Sequence, residues 1–330
     1  MIEKICIVYS HHKLGDLIWQ LPYVKAISEH HNKKIDLIVR EKTQAKEILK
    51  DLSYINAIHY NNFRKKIFYW IDVFKLKKIF STEDYSHVYI LDKINKPAVA
   101  AKLAGIKNII GPGIKRQKKW LTNKDFLDDK DWLLSYSEQS QKLLKLNNIK
   151  IKDMYPYIEV KSSGIDQLKN FSYTGKKIAF GVDSFEDYKI WYEENFIELA
   201  NKFDDNKVFD YIYLICGKDK QYIAKDIIAK SNKNYFIDCC DLKLIDIISV
   251  IKDSDFFVGN NSGPLNLAAA LNIKSFGLFA NTAISQLKFS KVIPLIPENY
   301  IDNQFIKNRE EMRKLTPDKV FLDITKHLNN

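Results

Sequence analysis

Short apolar runs alternate with amphipathic stretches along the whole chain. In the first half the runs predict strands at Lys4–Tyr9, Ile35–Val39, His87–Leu91 and Asn108–Ile110. The second half adds Lys177–Gly181, Tyr211–Cys216, Tyr235–Asp238, Phe256–Gly259, Ser275–Phe279 and Val292–Leu295. Several are apolar throughout, the pattern of parallel strands covered on both faces. Between them an apolar period near 3.6 residues predicts helices at Leu17–His30, Thr43–Leu49, Ala98–Ala104, Glu138–Leu146, Asn195–Phe203, Lys220–Ala229, Leu244–Ile251 and Leu265–Leu271. Strand–helix alternation in both halves makes the fold α/β with two domains.

The domain boundary falls where the periodicity lapses, between Tyr155 and Lys177. We read residues 1–160 as the first domain, 161–176 as a linker and 177–315 as the second. The linker holds Ser162-Ser163-Gly164, a candidate hinge, and Gly175. Thr316-Pro317-Asp318 then opens a C-terminal helix over 316–330 that could pack back on the first domain. Phe63–Phe80 mixes aromatic and basic residues in the manner of an amphipathic surface helix.

Composition narrows the class. With 46% apolar and 28% charged residues the chain is globular, and no apolar run is long enough to span a bilayer. The start carries no signal-peptide pattern, so a cytoplasmic location is expected. Cys6, Cys216, Cys239 and Cys240 lack metal-ligand spacing and read as packed, reduced thiols. The seven histidines form no ligand pattern either, and His11-His12 read as loop-exposed. The net charge of +11 is uneven. Residues 1–165 hold 30 Lys and Arg against 18 Asp and Glu, whereas residues 166–330 hold 22 against 23. Only five of the 52 basic residues are Arg, a compositional bias that leaves the asymmetry unexplained. A basic first half points to an anionic partner. Nucleic acid is disfavoured because no helix-turn-helix, zinc-finger or RNA-binding motif is present.

Three stretches carry candidate chemistry. Lys13-Leu14-Gly15-Asp16 follows the first strand, at the carboxyl end where parallel sheets bind ligands. Asp16 is either a carboxylate complementing a helix N-terminus or a general base facing an interdomain cleft. Gly181-Val182-Asp183-Ser184 with Tyr188-Lys189-Ile190-Trp191 follows the first strand of the second half. There Lys189 is either a solvated surface lysine or a point charge for a diphosphate. Gly259-Asn260-Asn261-Ser262-Gly263-Pro264-Leu265-Asn266 joins a strand to a helix opened by Pro264. Its free backbone N–H groups suit phosphate oxygens, and Gly263 permits close approach. The same residues also make an ordinary turn.

In this order the three stretches resemble glycosyltransferase family 9, the ADP-heptose:lipopolysaccharide heptosyltransferases. The family's late motif reads close to Gly-Asn-Asp-Thr-Gly-Pro-x-His-Leu-Ala-Ala-Ala, against Gly259 to Ala270 here. Phe279-Ala280-Asn281-Thr282 stands where the family has a Phe-Gly-Pro-Thr turn, and Met312 to Leu328 resembles its closing helical segment. The resemblance implies a GT-B fold, two Rossmann-like domains with parallel sheets and a donor site in the cleft between them. It implies inverting transfer of a sugar from a nucleotide donor, ADP-heptose foremost, to a lipopolysaccharide inner-core acceptor.

By position, the resemblance makes Asp16 the catalytic base and Lys189 the diphosphate ligand. Ser262, Gly263 and Pro264 become the phosphate-binding helix start, with Ser184, Gln221, Leu242, Asn261 and Asn266 around the donor. Asn261 and Asn266 depart from the family's aspartate and histidine. They leave open another nucleotide sugar, or a non-catalytic nucleotide-sugar binder. The acceptor's carboxylates and phosphates have candidate partners in Lys13, Arg64, Lys65, Lys66, Lys115, Arg116, Lys118 and Lys119. Trp70 and Trp120 are candidate interfacial anchors on the cytoplasmic face of an anionic inner membrane. No Asp-x-Asp stands ready for a divalent ion, so no cofactor or metal is expected to be obligatory.

Overall fold

A computed structural model of the chain describes residues 3–64, 66–160, 174–302 and 305–328. Two compact units divide at Val160/Lys161. The hinge at Ser162–Gly164 and most of the 161–176 linker lie outside the described residues.

The first unit is built on five parallel strands: β1 (Ile5–Val8), β2 (Ile35–Val39), β3 (Ile55–Tyr60), β4 (His87–Ile90) and β5 (Asn108–Ile110), in the order β3-β2-β1-β4-β5. Its helices are α1 (Leu14–Ile18), α2 (Leu21–His31), α3 (Ala45–Leu49), α4 (Tyr69–Glu83), α5 (Lys96–Leu103) and α6 (Tyr136–Leu146). β1 and β2 are buried at every position, β1 as its unbroken apolar run requires and β2 with Asp36 buried among apolar residues. β3 escaped the sequence reading because Asn56 and His59 interrupt its apolar residues on an edge strand. The single helix expected over Leu17–His30 is two. Pro22 lacks an N–H and is tolerated only in a first turn, so a new helix starts at Leu21. α6 begins with a capping box, in which Ser135 Oγ accepts from the Glu138 N–H and Glu138 reaches back to Ser135.

The second unit holds six parallel strands: β6 (Lys177–Gly181), β7 (Tyr211–Ile215), β8 (Phe236–Asp238), β9 (Phe256–Asn260), β10 (Lys274–Leu278) and β11 (Val292–Leu295). Their order is β11-β10-β9-β6-β7-β8. The helices are α7 (Glu193–Asp205), α8 (Gln221–Ser231), α9 (Leu244–Asp253), α10 (Gly263–Ala270) and α11 (Pro317–Leu328). In both sheets strand order reverses at one place, between β1 and β4 and between β6 and β9. Loops leaving the carboxyl ends there form the crevice in which doubly wound sheets bind ligands.

Two expectations are corrected. The C-terminal helix belongs to the second unit: α11 buries Val320 and Ile324 in that unit's core, and the Phe321 ring lies 5.5 Å from Phe203 of α7. Its apolar stripe matches the groove beside α7. The four thiols are not all free either. Cys216 and Cys240 are joined in a disulfide with Cα atoms 4.8 Å apart. The β7–β8 register pairs Leu214 with Asp238, and two residues further along both strands it sets these cysteines side by side. Cys6 and Cys239 are free and buried.

Candidate active site

In the first unit, β1 ends and the chain turns into α1, placing Asp16 in the helix's first turn. The Ser10 N–H donates to Asp92 Oδ2 at 2.5 Å, and Arg40 donates to the Ser10 carbonyl. Asp92 is fully buried; burial raises its carboxyl pKa against the lowering pull of hydrogen bonds from Ser10 and from the Ile94 N–H. The loop before Asp16 is therefore tied to both neighbouring strands. The Asp16 side chain is 35% exposed, open enough to meet a ligand, and its Oδ2 lies 3.5 Å from His11 Nδ1. The His11 ring stacks on Tyr9 at 5.0 Å and meets Tyr136 edge-on at 4.1 Å. His11 is thus a packed neighbour of the carboxylate, not the exposed loop residue expected. Burial, and secondarily Asp16, raises the pKa of both Tyr9 and Tyr136, keeping these phenols neutral.

The acceptor candidates separate. Lys13 stands at the N-cap position of α1, three residues before Asp16, with no side-chain capping bond. Arg64 is engaged elsewhere: it donates to Asp72 Oδ1 at 3.0 and 3.2 Å and stacks on Phe68. Lys65 and the Lys66 side chain lie outside the described residues. Lys115, Arg116, Lys118 and Lys119 are exposed on a 3-10 turn over Lys115–Trp120. Trp120 is partly buried against the first-unit core, whereas Trp70 is 56% exposed. Lys93 was not singled out from sequence. Its ammonium lies over Trp132 and Tyr136, and burial lowers its pKa. Nothing local in the sequence marks it; only the fold brings it to the Tyr136 ring.

In the second unit, four carboxyl-end loops are laced together. Ser184 Oγ, after β6, donates to the Asn261 carbonyl after β9 at 3.1 Å. Asn261 Nδ2 donates to Thr282 Oγ1 after β10 at 3.2 Å. The Gly217 N–H, after β7, donates to Asp183 Oδ2 at 2.7 Å; burial raises the Asp183 pKa while this bond and Lys220 lower it. Lys220 Nζ donates to the Ser184 carbonyl and to Asp187 Oδ1, both at 2.6 Å. Lys220 escaped the sequence reading, one lysine among many. Lys189 sits on a 3-10 turn, its ammonium 15% exposed and 3.3 Å from Glu186. Buried Trp191 anchors that turn: its backbone N–H donates to Asn260 Oδ1 and its indole N–H to the Leu315 carbonyl. Tryptophan two residues after Lys189 thus holds the cation's loop against β9.

α10 begins at the β6/β9 switch point. Ser262 is its N-cap, extended at φ −146°, and its buried Oγ meets no partner among the described residues. An orphan buried hydroxyl beside free helix N–H groups is a site shaped for an anion's oxygens. A Cβ placed at Gly263 would meet nothing within 4 Å, so this face is open. Asn266 follows one turn later, half-buried. Gln221 Nε2 donates to Asp238 and Asp241, and the Leu242 N–H bonds the Cys239 carbonyl, placing both after β7 and β8. The structure thus gathers Ser184, Lys189, Asn261, Ser262, Gly263 and Pro264 on the loops at the carboxyl edge of one sheet, with Gln221 and Leu242 after β7 and β8.

Comparison with known proteins agrees with this architecture. The family model described as glycosyltransferase family 9 (heptosyltransferase) matches residues 73–318. The structure is similar to E. coli ADP-heptose LPS heptosyltransferase II, with 16% identity, a TM-score of 0.76 and 98% of each chain covered. It is also similar to a family 9 glycosyl transferase from Veillonella parvula, with 14% identity, TM-score 0.77 and 98% of each chain covered. E. coli heptosyltransferase WaaC, solved with ADP, shares 16% identity at TM-score 0.74 over 98% of this chain and 99% of its own. No curated protein sequence matches. The two parallel sheets and these likenesses give the GT-B fold. The chain belongs to glycosyltransferase family 9, the heptosyltransferase family.

Proposed function

We propose that this glycosyltransferase moves heptose from ADP-heptose onto an anionic lipopolysaccharide-type core acceptor, by single displacement with inversion. The observation that carries the donor half is the unpartnered Ser262 hydroxyl at the open start of α10. Similar folds solved with ADP and with ADP-2-deoxy-2-fluoro heptose support a nucleotide-sugar donor.

In this mechanism Asp16 accepts the proton of the acceptor hydroxyl as its oxygen attacks the anomeric carbon. The bond to the diphosphate breaks on the opposite face, and the departing charge is met by Lys189 and the α10 N–H groups. Lys189 leaves Glu186 for the diphosphate, the more highly charged partner. Such preorganised contacts are worth about 2.7–4 kcal/mol each in the transition state. A cation and a helix terminus already neutralise the leaving group, so turnover should need no divalent ion and persist in chelator. Activity abolished by chelator and restored by Mg²⁺ or Mn²⁺ would overturn that step.

Asn261 retains a carbonyl acceptor but carries no charge, and its NH₂ is engaged with Thr282. The sugar is therefore read by neutral groups at this position. Calorimetric titration with a panel of nucleotide sugars tests the donor. We expect selective ADP-heptose binding, weakened in Lys189→Ala. Selective binding of a different sugar nucleotide would reassign the donor and keep the mechanism. Donor binding without turnover when acceptor is supplied would make the chain a non-catalytic binder.

The acceptor surface is proposed on the first unit, with Lys13 and Lys93 near Asp16 and Arg116 and Lys119 farther out. Membrane association, on the cytoplasmic face, is proposed through α4 and the turn before it. Ile67, Trp70 and Phe74 are each more than half exposed there, beside exposed Lys75 and Lys78. Among the described residues no helix is long and apolar enough to cross a membrane.

A further inference from the structure

At the amino-terminal edge of the first sheet, the end of β1 opposite Asp16, three side chains from distant parts of the chain converge. Glu3 precedes β1, His31 ends α2 and His87 opens β4. Glu3 Oε1 lies 2.8 Å from His31 Nδ1 and 3.3 Å from His87 Nδ1, and one ligand atom from each residue falls within 4.8 Å of the others. The two imidazole centroids are 4.7 Å apart.

A tetrahedral zinc site has bonds to N and O of about 2.0–2.2 Å. Tetrahedral geometry then separates neighbouring ligand atoms by about 3.3 Å, which is the scale seen here. A histidine–glutamate hydrogen bond accounts for His31 alone. A second imidazole nitrogen, His87 Nδ1, is turned to the same carboxylate oxygen, where one ion could be shared by all three side chains.

The surroundings match what a ligand histidine requires. His31 Nε2 lies 2.8 Å from the Tyr89 hydroxyl, so the ring can keep its Nε2 proton on Tyr89 and present Nδ1 to an ion. The Ser86 hydroxyl donates to the Lys4 carbonyl, so at 3.0 Å it accepts from His87 Nδ1, which would release that proton on ligating an ion. The His31 side chain is 8% exposed and that of His87 20%, whereas Glu3 at 38% leaves the entry side to water.

We propose that Glu3, His31 and His87 form a divalent transition-metal site of the zinc class, with water as fourth ligand. Two imidazoles and one carboxylate suit zinc, cobalt or nickel; magnesium and calcium favour all-oxygen sets. The ion would fasten the starts of β1 and β4 to the end of α2. It lies at the opposite sheet edge from Asp16 and takes no part in transfer. Spacings of 28 and 56 residues along the chain give no local motif, so the sequence alone shows nothing.

Titration of the metal-free full-length chain with Co²⁺, followed by visible absorption and by Zn²⁺ displacement, tests the site. The expected result is one Co²⁺ per chain with a tetrahedral-type band, displaced by Zn²⁺, and a Tm raised by Zn²⁺. Glu3→Gln and His87→Ala should each weaken binding about tenfold or more while near-ultraviolet circular dichroism stays that of the wild type. Tyr89→Phe, which removes only the hydroxyl behind His31, should weaken it about 10–100-fold. No stoichiometric Co²⁺ binding, or binding equally tight in Glu3→Gln and His87→Ala, would overturn the proposal.

Discussion

At Gly263 the proposed donor contact can be tested apart from folding. A methyl group there meets no protein atom, and alanine is at least as good as glycine in a helix. Gly263→Ala should keep or raise Tm, yet weaken ADP-heptose about tenfold or more by crowding the diphosphate; a hydrogen bond to a charged group is worth about 1.5–3 kcal/mol. Unchanged donor affinity by calorimetry would remove α10 from the site. Asp72 tests the first unit. Burial would raise its carboxyl pKa, but hydrogen bonds from Arg64 and Lys96 hold it below the usual 3.8. A lowered folded-state pKa stabilises the fold above the ordinary value, and that stability is lost as pH falls through the folded one. Asp72→Asn should therefore lower Tm at pH 7 and flatten its fall on acidification below about pH 4. A parallel acid limb in the variant would contradict the ion pair. Both residues also show what the sequence conveys at this scale. The place of Gly263 at a helix start was legible because it follows from a local strand–turn–helix pattern. The engagement of Arg64 was not, because its partner Asp72 is fixed by the packing of α4 against α5.

At the level of elements, most strands were legible to within a residue or two, since parallel strands buried on both faces leave unbroken apolar runs. What was missed shares one cause: it depends on neighbours, not on local pattern. Edge strand β3 is half polar, and α11 shows an apolar stripe that does not name its partner. The Cys216–Cys240 pair appears only when β7 and β8 are placed in register. That disulfide closes a separation of 24 residues, worth about 3 kcal/mol in a chain-entropy account. Calorimetric melting with and without reductant should show the second unit's transition lowered, and Cys216→Ser with Cys240→Ser should reproduce the shift. An unchanged transition would show that the β7–β8 pairing alone carries the contact. The exposed face of α4 gives a further expectation. Binding to anionic vesicles should fall between low and high salt, because charges a Debye length from the surface are screened. Trp70→Ala combined with Phe74→Ala should weaken it at both salts. Salt-independent binding, or no effect of the pair, would move the membrane contact elsewhere.

For the molecule as a whole, charge is divided unevenly along the chain. The excess positive charge lies in residues 1–165, and the candidate anion-binding helix start lies in the nearly neutral remainder. The ordered set of three motifs conveyed the family, and the two sheets with their reversed strand orders show why those motifs sit where they do. Each follows a strand at a switch point, β1 for Asp16, β6 for Lys189 and β9 for Ser262. The Glu3–His31–His87 cluster and Lys93 stayed hidden because they are assembled from separate elements. Asp16 is proposed as the base of a transfer whose donor is held by other residues. The most direct test is single-turnover transfer from ADP-heptose to a lipopolysaccharide core acceptor by Asp16→Asn beside the wild type. Asp16→Asn should bind ADP-heptose as tightly as the wild type and slow transfer about 10²–10⁴-fold. Transfer at the wild-type rate by Asp16→Asn would contradict the account.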